Sequence, residues 1–187
     1  MIREKIILAS ASPRRAEILR AEGFELEIIS ADVEEKSGGT PLETAAFNAR
    51  LKAEKVAQNY RERLIIAADT VVCFKGELLG KPRDRVEAKK NLLKLSGNTH
   101  EVYTAVCLSK GDKIRQFVAK SCVRFKIFDN LVVDSYYALV DPLDKAGGYN
   151  INEHGEMIIE SFEGSYENIM GLPIKELIEE LKGFVDV

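Results

Sequence analysis

Short apolar runs alternate with amphipathic segments along the chain, a pattern that predicts both strands and helices. The first run, residues 6–9, has the character of a strand, and the polar residues Ser10 and Ser12 follow it. A helix is predicted to begin at Pro13, because proline fits the first helical position and serine is a good N-cap. Helical spacing continues to Gly23, a residue type that commonly ends helices.

Two arginines, Arg14 and Arg15, fall in the first turn of this helix. Cations there oppose the helix dipole, which favours anions at a helix N-terminus. The placement is explained if a polyanion docks at the same turn, where backbone N–H groups and two guanidinium groups share it. The alternative is that both arginines are solvated in an ordinary strand-to-helix turn.

A second helix is predicted from a capping box at residues 40–43, with proline at the first helical position, to about Tyr60. Lys52 lies on the apolar face of this helix, between Ala49 and Val56. A lysine in such a position either extends its ammonium group to solvent or is kept there to meet an anion. The sequence leaves both interpretations open.

The most hydrophobic run, residues 64–74, is rich in β-branched residues and has no helical period. It predicts a central strand that is buried on both faces. Asp69 interrupts the run, and Thr70 adds a second polar group beside it. A carboxylate in such a strand is costly unless it is paired, hydrogen-bonded or bound to a metal. Asp69 therefore belongs either to a functional site or to a structural ion pair.

The rest of the chain continues the alternation of helices and strands. It predicts, in order, a turn at 75–77, a loop at 80–82 that contains Lys81, a helix from Asp84, strands over 101–109 and 113–128, a helix from Asp129 to Val140, a charged glycine-containing loop over 141–149, a strand over 157–159 and a final helix after Pro173. Glu87 is predicted to complete a capping box with Asp84. Alternation in the longest strand predicts core positions for Val123, Phe125 and Ile127.

Composition narrows the class of protein. The 187 residues are 45% hydrophobic and 30% charged, as expected of one soluble globular domain or of one with two lobes around a cleft. The net charge of −3 disfavours a general nucleic-acid binder. No apolar stretch approaches the ~20 residues of a membrane span, and no signal peptide is evident, so we expect a cytoplasmic protein. Three cysteines without a CxxC pattern indicate buried, reduced thiols.

Several charged residues have the chemistry for metal-assisted hydrolysis of a phosphoanhydride, in which basic groups clamp phosphates and carboxylates hold a cation or activate water. The candidates are the cations Arg14, Arg15, Lys52 and Lys81 and the carboxylates Glu35 and Asp69. Mg²⁺ prefers oxygen ligands, so the presence of only two histidines does not argue against such a site. The chain has no Walker A motif and no GxGxxG motif, which disfavours kinase, GTPase and dinucleotide-dehydrogenase functions.

Six short motifs occur in order along the chain: Leu-Ala-Ser-Ala-Ser-Pro-Arg-Arg at 8–15, Ala-Asp-Thr-Val-Val at 68–72, Gly-Lys-Pro-Arg-Asp at 80–84, Leu-Ser-Gly at 95–97, Asp-Lys-Ala-Gly at 144–147 and Gly-Leu-Pro at 171–173. Together they resemble the motifs of the Maf family of nucleotide pyrophosphatases. Each motif alone is weak, but six in order and at suitable spacing are a strong signal. The resemblance covers essentially the whole chain.

The resemblance implies a fold, a reaction and a cofactor. The fold is expected to be α/β, with a mixed twisted sheet, flanking helices and two lobes around a central cleft, as in inosine triphosphate pyrophosphatase. Residues 1–187 would then form a single Maf-like domain. The implied reaction is hydrolysis of a nucleoside triphosphate to the monophosphate and pyrophosphate with a divalent cation (Mg²⁺, Mn²⁺ or Co²⁺), which cleans the nucleotide pool of minor or modified nucleotides. Family members are cytoplasmic and often homodimeric.

The resemblance also assigns site residues. Asp69 matches the general base. The family's other polar active-site positions are matched by Ser10, Arg15, Glu35, Lys52 and Lys81. As a hypothesis on the mechanism, Glu35 is expected to hold the metal together with Asp69.

Three further positions, Arg14, Thr70 and Asn152, are those with which the family selects a base. Arg and Thr at the first two resemble the branch that acts on dTTP and UTP, whereas the branch that acts on 7-methyl-GTP has Trp, Gln and Glu at the three positions. Asn152 departs from the dTTP/UTP pattern, which has Gln, so the amide is kept but its reach is one methylene shorter. Gly148 and Asn150 depart from the family pattern in the same loop.

Two functions of other classes stay open on the sequence. One is a non-catalytic regulator of septum formation and cell division, which would bind a nucleotide or a protein partner without hydrolysis. The other is an RNA-binding module built on the basic strand around Arg124 and Lys126. The acidic net charge and the lack of an aromatic stacking motif argue against RNA binding.

Overall fold

The computed structural model describes residues 5–36 and 38–184, which form a mixed α/β structure with a seven-stranded sheet and flanking helices. The strands are β1 (Ile6–Leu8), β2 (Leu26–Ile28), β3 (Ile65–Phe74), β4 (Glu77–Leu79), β5 (Thr99–Lys110), β6 (Lys113–Phe125) and β7 (Ile159–Glu163). The helices are α1 (Pro13–Ala21), α2 (Pro41–Tyr60), α3 (Arg85–Leu95), α4 (Asn130–Tyr137), α5 (Tyr166–Ile169) and α6 (Ile174–Lys182). Short 3₁₀ helices cover Ala146–Gly148 and Gly155–Met157. The predicted fold class is confirmed.

The sheet has the strand order β2-β1-β3-β5-β6-β7, and β4 pairs with β3 outside this path. β1 is parallel to both neighbours, with Ile7 opposite Glu27 of β2 and Ile65 of β3. β4 is antiparallel to β3, and β7 is antiparallel to β6. The sheet therefore combines parallel pairs, which need a helical crossover, with antiparallel pairs, which a short turn is able to join.

The chain divides into two compact units. Of the described residues, the first unit contains 5–69, 104–119 and 171–184, and the second contains 70–103 and 120–170. β3, β5 and β6 each contribute residues to both units. The single domain with a cleft between two lobes stays a prediction.

The first unit is built on β1, α1 and α2. Every residue of β1 is fully buried, as its uninterrupted apolar sequence predicts. α2 begins with the predicted capping box, in which Thr40 Oγ1 accepts from the Glu43 N–H and the Glu43 carboxylate accepts from the Thr40 N–H. Burial of Ala45 and Ala49 on its inner face fixes the rotation of α2 and turns Lys52 inward.

The second unit has a hydrophobic core of its own, to which Val72, Leu92, Phe125 and Tyr136 contribute. Its β3–β4 hairpin turns at residues 75–76 as predicted, and the two turn residues have φ of 52° and 82°. Positive φ at both central residues is typical of the two-residue turns that match strand twist.

Two predictions about capping and orientation in the second unit are wrong. Asp84 caps α3 through the Glu87 N–H, but the Glu87 carboxylate accepts from the Arg83 N–H, so the predicted box is not completed. β6 ends at Phe125, so the inward alternation stops there, and Ile127 is 92% exposed rather than buried.

Two predicted boundaries also differ from the structure. α4 ends at Tyr137 rather than Val140. β7 begins at Ile159, because Gly155–Met157 forms a 3₁₀ helix where the start of the strand is predicted. The short helix α5 is absent from the sequence prediction.

The cysteines agree with the prediction of reduced thiols. Cys73 and Cys107 are buried, Cys122 is partly buried, and all three are free. Burial raises the pKa of Cys107 to about 12, which keeps this thiol protonated. Among the residues that the structure describes, no helix has the length and apolar character needed to cross a bilayer.

Candidate active site

The centre of the candidate site is a cluster of one lysine and two carboxylates in the first unit, here called the lysine–carboxylate cluster (Glu35, Lys52 and Asp69). Lys52 Nζ lies 2.6 Å from Asp69 Oδ1 and 2.6 Å from Glu35 Oε1. The side chains of Lys52 and Asp69 are 11% and 8% exposed, whereas that of Glu35 is 48% exposed. Charge-assisted bonds of this length offset the cost of burying Lys52 and Asp69. The structure therefore favours the interpretation in which Lys52 meets anions.

Three elements position the lysine–carboxylate cluster. α2 presents Lys52 from its buried face, and β3 presents Asp69 directly after four fully buried residues. Glu35 lies in the loop between β2 and α2. Lys52 is the cation within the cluster, and the buried Arg15 guanidinium also interacts electrostatically with Asp69 and Glu35.

Arg15 is bound by protein atoms from three segments. Its Nε donates to the carbonyl oxygen of Gly171 (2.8 Å), and its Nη1 donates to Ser10 Oγ (3.0 Å) and to the carbonyl oxygen of Ala68 (2.9 Å). Burial lowers the pKa of Arg15, and the Asp69 carboxylate opposes that shift. Arg15 therefore links Ala68, the strand residue before Asp69, to Ser10 in the β1–α1 turn. The sequence pattern does not indicate this structural role of the guanidinium group.

The turn between β1 and α1 differs from the predicted cap. Ser12 stands at the N-cap position of α1, but its side chain makes no capping bond. Its backbone N–H donates instead to Ser10 Oγ (3.2 Å), the atom to which Arg15 also donates. Arg14 follows in the first turn and is partly buried. Ser10 therefore holds the turn and Arg15 in one arrangement.

The other predicted site residues lie in the second unit. Thr70 follows Asp69 along β3, Lys81 is exposed in the loop between β4 and α3, and Asn152 is exposed between the two 3₁₀ helices. That Thr70, Lys81 and Asn152 act together with the site residues of the first unit stays a prediction.

Tyrosines of α4 hold the segment that precedes Asn152. The Tyr136 hydroxyl donates to the carbonyl oxygen of Asn150 (3.1 Å) and accepts from its N–H (2.9 Å). The Tyr137 hydroxyl lies 3.0 Å from the carbonyl oxygen of Gly148. Asn150 Oδ1 accepts from the Asn152 N–H (3.4 Å). The tyrosines thus contact Gly148 and Asn150, the two residues of this loop that depart from the family pattern.

Asn48 belongs to the site, although the sequence pattern does not single it out. It lies four residues before Lys52, so both side chains leave α2 on the same face. Its Nδ2 lies 3.4 Å from Asp69 Oδ2 and donates to the carbonyl oxygen of Lys36 (3.1 Å), and its Oδ1 accepts from the Lys36 N–H (3.0 Å). The signal in the sequence is an amide one helical turn before Lys52, on the buried face of α2.

Comparison with known families decides the assignment. The family model for Maf, described as Maf-like protein, matches residues 5–184. The chain belongs to the Maf family. The family resemblance of the six sequence motifs is therefore confirmed, and every predicted site residue lies within the matched range.

Similar Maf-family chains occur in Bacillus species. A protein of Bacillus anthracis (strain CDC 684 / NRRL 3495) is 42% identical over 186 residues, which cover 98% of this chain and 97% of the relative. Proteins of Bacillus cereus (strain AH820) and Bacillus thuringiensis subsp. konkukian (strain 97-27) have the same identity and coverage. All three relatives are named dTTP/UTP pyrophosphatase.

Two solved structures are more distant from this Maf-family chain. A HAM1 protein from Coxiella burnetii is 19% identical with a TM-score of 0.41, over 64% of this chain and 72% of the other. A protein from Vibrio cholerae is 14% identical with a TM-score of 0.37, over 72% of this chain and 69% of the other. Both TM-scores are below 0.5, so the fold is defined by the strands and helices given above and not by likeness to these two structures.

Proposed function

We propose that this Maf-family protein is a nucleoside triphosphate pyrophosphatase that hydrolyses dTTP and UTP to the monophosphate and pyrophosphate. The observation that carries the proposal is the lysine–carboxylate cluster, in which Lys52 lies 2.6 Å from Asp69 and 2.6 Å from Glu35. The names of the three Bacillus relatives, which match over nearly the full chain, support the choice of substrate.

In the proposed reaction, Asp69 accepts a proton from a water molecule whose oxygen attacks the α-phosphorus. A P–O bond forms, the bond between the α-phosphorus and the α,β-bridging oxygen breaks, and pyrophosphate leaves with that electron pair. Lys52 and Arg15 hold the base in place, the first through Asp69 Oδ1 and the second through the carbonyl oxygen of the preceding residue. A positioned general base contributes about 10²–10⁴-fold to the rate.

The proposed cofactor is a divalent cation, Mg²⁺, Mn²⁺ or Co²⁺, held by Glu35 and Asp69. These residues fit such an ion, because both supply carboxylate oxygens, the ligands that Mg²⁺ prefers, and Glu35 is 48% exposed. Among the described residues, no three His, Cys, Asp or Glu side chains are grouped to hold a metal, so water and substrate phosphates would complete the coordination. When bound, the cation would offset the charge of the triphosphate.

The selection of the base is assigned to Arg14, Thr70 and Asn152, and phosphate binding to Lys81, by resemblance to the family. Specificity for 7-methyl-GTP is the alternative within the enzyme class, since Asn152 departs from the dTTP/UTP pattern. The cytoplasmic location, the homodimer and the lack of nucleic-acid binding stay predictions from the sequence.

Release of pyrophosphate from UTP, dTTP and 7-methyl-GTP in the presence of Mg²⁺ tests the proposal. We expect release from UTP and dTTP, and a loss of turnover of about 10²–10⁴-fold in Asp69→Asn with an unchanged circular dichroism spectrum. Asp134→Asn, which changes a mostly exposed carboxylate of α4, is the matched control and should keep full turnover. Binding of UTP without release would indicate the non-catalytic regulator, and near-normal turnover of Asp69→Asn would exclude Asp69 as the base.

A further inference from the structure

We propose that Asn48 is a positioning residue that fixes the loop carrying Glu35 and orients Asp69. This inference rests on the proposed function, because it concerns the groups that would perform the reaction. Asn48 itself is 3% exposed, so it is argued to act through the two carboxylates.

A row of polar side chains on α2 holds the loop that contains Glu35. Thr44, Asn48 and Lys52 are spaced by four residues, so they lie one above the other on one face of the helix, and all three are buried. Thr44 Oγ1 donates to the carbonyl oxygen of Gly38 (2.7 Å), and Lys52 bonds to Glu35 (2.6 Å). Asn48 lies between these two contacts.

The amide of Asn48 bonds to Lys36 through both of its ends. Oδ1 accepts from the Lys36 N–H at 3.0 Å, and Nδ2 donates to the Lys36 carbonyl oxygen at 3.1 Å. Lys36 lies outside the strands and helices, so these bonds satisfy backbone groups that regular structure would otherwise pair. Two bonds to the backbone of Lys36 fix both the position and the orientation of this residue. Glu35 is the residue directly before it.

Asn48 also contacts the proposed base. Its Nδ2 lies 3.4 Å from Asp69 Oδ2, which is long for a hydrogen bond, while Lys52 Nζ lies 2.6 Å from Oδ1. With a donor directed at each oxygen, rotation of the Asp69 carboxylate is restricted. One side chain thus connects the two carboxylates of the lysine–carboxylate cluster, a buried one on a strand and a half-exposed one on a loop.

The test compares two variants of Asn48 with a matched control. Asn48→Leu removes all three contacts at similar side-chain size. Asn48→Asp keeps an acceptor for the Lys36 N–H but replaces the Nδ2 donor, which serves both the Lys36 carbonyl oxygen and Asp69, with a second acceptor. Asn91→Leu changes a buried asparagine of α3 in the second unit, outside the cluster, and controls for a leucine placed on a buried helix face.

We expect both Asn48 variants to lose about 10- to 100-fold in kcat for UTP with Mg²⁺, as is usual for residues that orient metal ligands. Their KM should change by less than about threefold, since misplaced reacting groups affect the chemical step more than binding. Exchange of the Lys36 amide hydrogen, followed by NMR, should be about 3- to 10-fold faster in Asn48→Leu, which removes its acceptor, and should change less in Asn48→Asp, which keeps an acceptor. Thermal melting checks that each variant is folded.

Unchanged kcat in Asn48→Asp would overturn the inference even if Asn48→Leu failed to fold, and it would leave the proposed function intact. A loss of kcat that Asn91→Leu shares would likewise overturn it, because the effect would then follow from general destabilisation. If the wild-type protein releases no pyrophosphate, the proposed function itself fails, and this inference fails with it.

Discussion

Lys52 lies between two carboxylates that differ in their dependence on it. The Asp69 side chain is 8% exposed and relies on protein donors, whereas Glu35 is 48% exposed and is able to draw on water. Removal of Lys52 therefore leaves a buried charge without its cation, which is far costlier than loss of an exposed pair. The residue proposed to position the base also contributes to the stability of the first unit.

Replacement of Lys52 should expose this dependence. We expect Lys52→Met to lower the free energy of unfolding at pH 7 by about 3–5 kcal/mol, because Asp69 stays buried but has lost its ion-pair partner. The double variant Lys52→Met/Asp69→Leu should recover most of that loss, because the buried carboxylate is then removed as well and the remaining carboxylate, Glu35, is half-exposed. Glu35→Gln is the control and should cost less than about 1 kcal/mol. Urea denaturation measures all three, and a double variant no more stable than Lys52→Met would contradict the argument.

Single residues differ in how far the sequence reveals them. Lys52 and Asp69 stand out because a charge within an apolar pattern is costly and so calls for a partner, but the pattern left a structural role open and the family resemblance assigned them to the site. Asn48 was not predictable, since a neutral amide on a helix face disturbs the pattern little. The contacts of Arg15 were also not predictable, because its partners include backbone carbonyl oxygens, which any residue type supplies.

Within the second unit, β5 contributes His100 to an aromatic group with Phe125 and Tyr149. The ring of His100 packs edge-on against Phe125 with a centroid distance of 4.8 Å, and its Nε2 lies 2.7 Å from the Tyr149 hydroxyl. Burial lowers the pKa of His100 to about 4, so the imidazole is neutral at pH 7. A proton on His100 would place a charge inside the hydrophobic core.

The stability of the protein should therefore fall in mildly acidic solution. The unfolded chain binds a proton on His100 below about pH 6.5, whereas the folded protein does so only near pH 4, so stability is lost as the pH falls from 6.5 towards 4. We expect the loss between pH 7 and pH 5 to be about 2 kcal/mol smaller in His100→Gln than in the wild-type protein. The exposed His154 provides the control variant, His154→Gln. Equal losses in urea denaturation of the wild-type and His100→Gln proteins would refute the assignment.

Element boundaries were predictable where local chemistry sets them. The capping box at Thr40 and the 3.6-residue period define α2 from its first residue to Tyr60. The end of β6 depends instead on where its partner strand ends, and the apolar alternation continues past that point to Ile127. Ile127 continues the strand-like alternation although it is exposed, so the pattern places the end of β6 too late. The alternation contains no information on where the neighbouring strand ends.

For the whole molecule, motif order identified the family but could not supply the contacts. Arg15 and Gly171 are 156 residues apart in sequence and 2.8 Å apart in space. Hydrophobic periodicity reports which face of an element is buried, and it carries no information on which distant segment covers that face. The charge balance of the site became visible only when the structure placed Lys52 between Glu35 and Asp69.

That charge balance predicts the response of the whole protein to removal of divalent cations. Lys52 and Arg15 balance the charges of Glu35 and Asp69, so a bound divalent cation would supply the positive charge that offsets a triphosphate. We expect chelation to reduce turnover of UTP by at least about 100-fold and Mg²⁺, Mn²⁺ or Co²⁺ to restore it, since a bound cation is worth several kcal/mol in the transition state. The fold should persist, with the melting temperature lowered by less than about 4 °C, because Lys52 keeps its bond to Asp69 without metal. Full turnover in protein shown to be metal-free by mass spectrometry would contradict this account of the site.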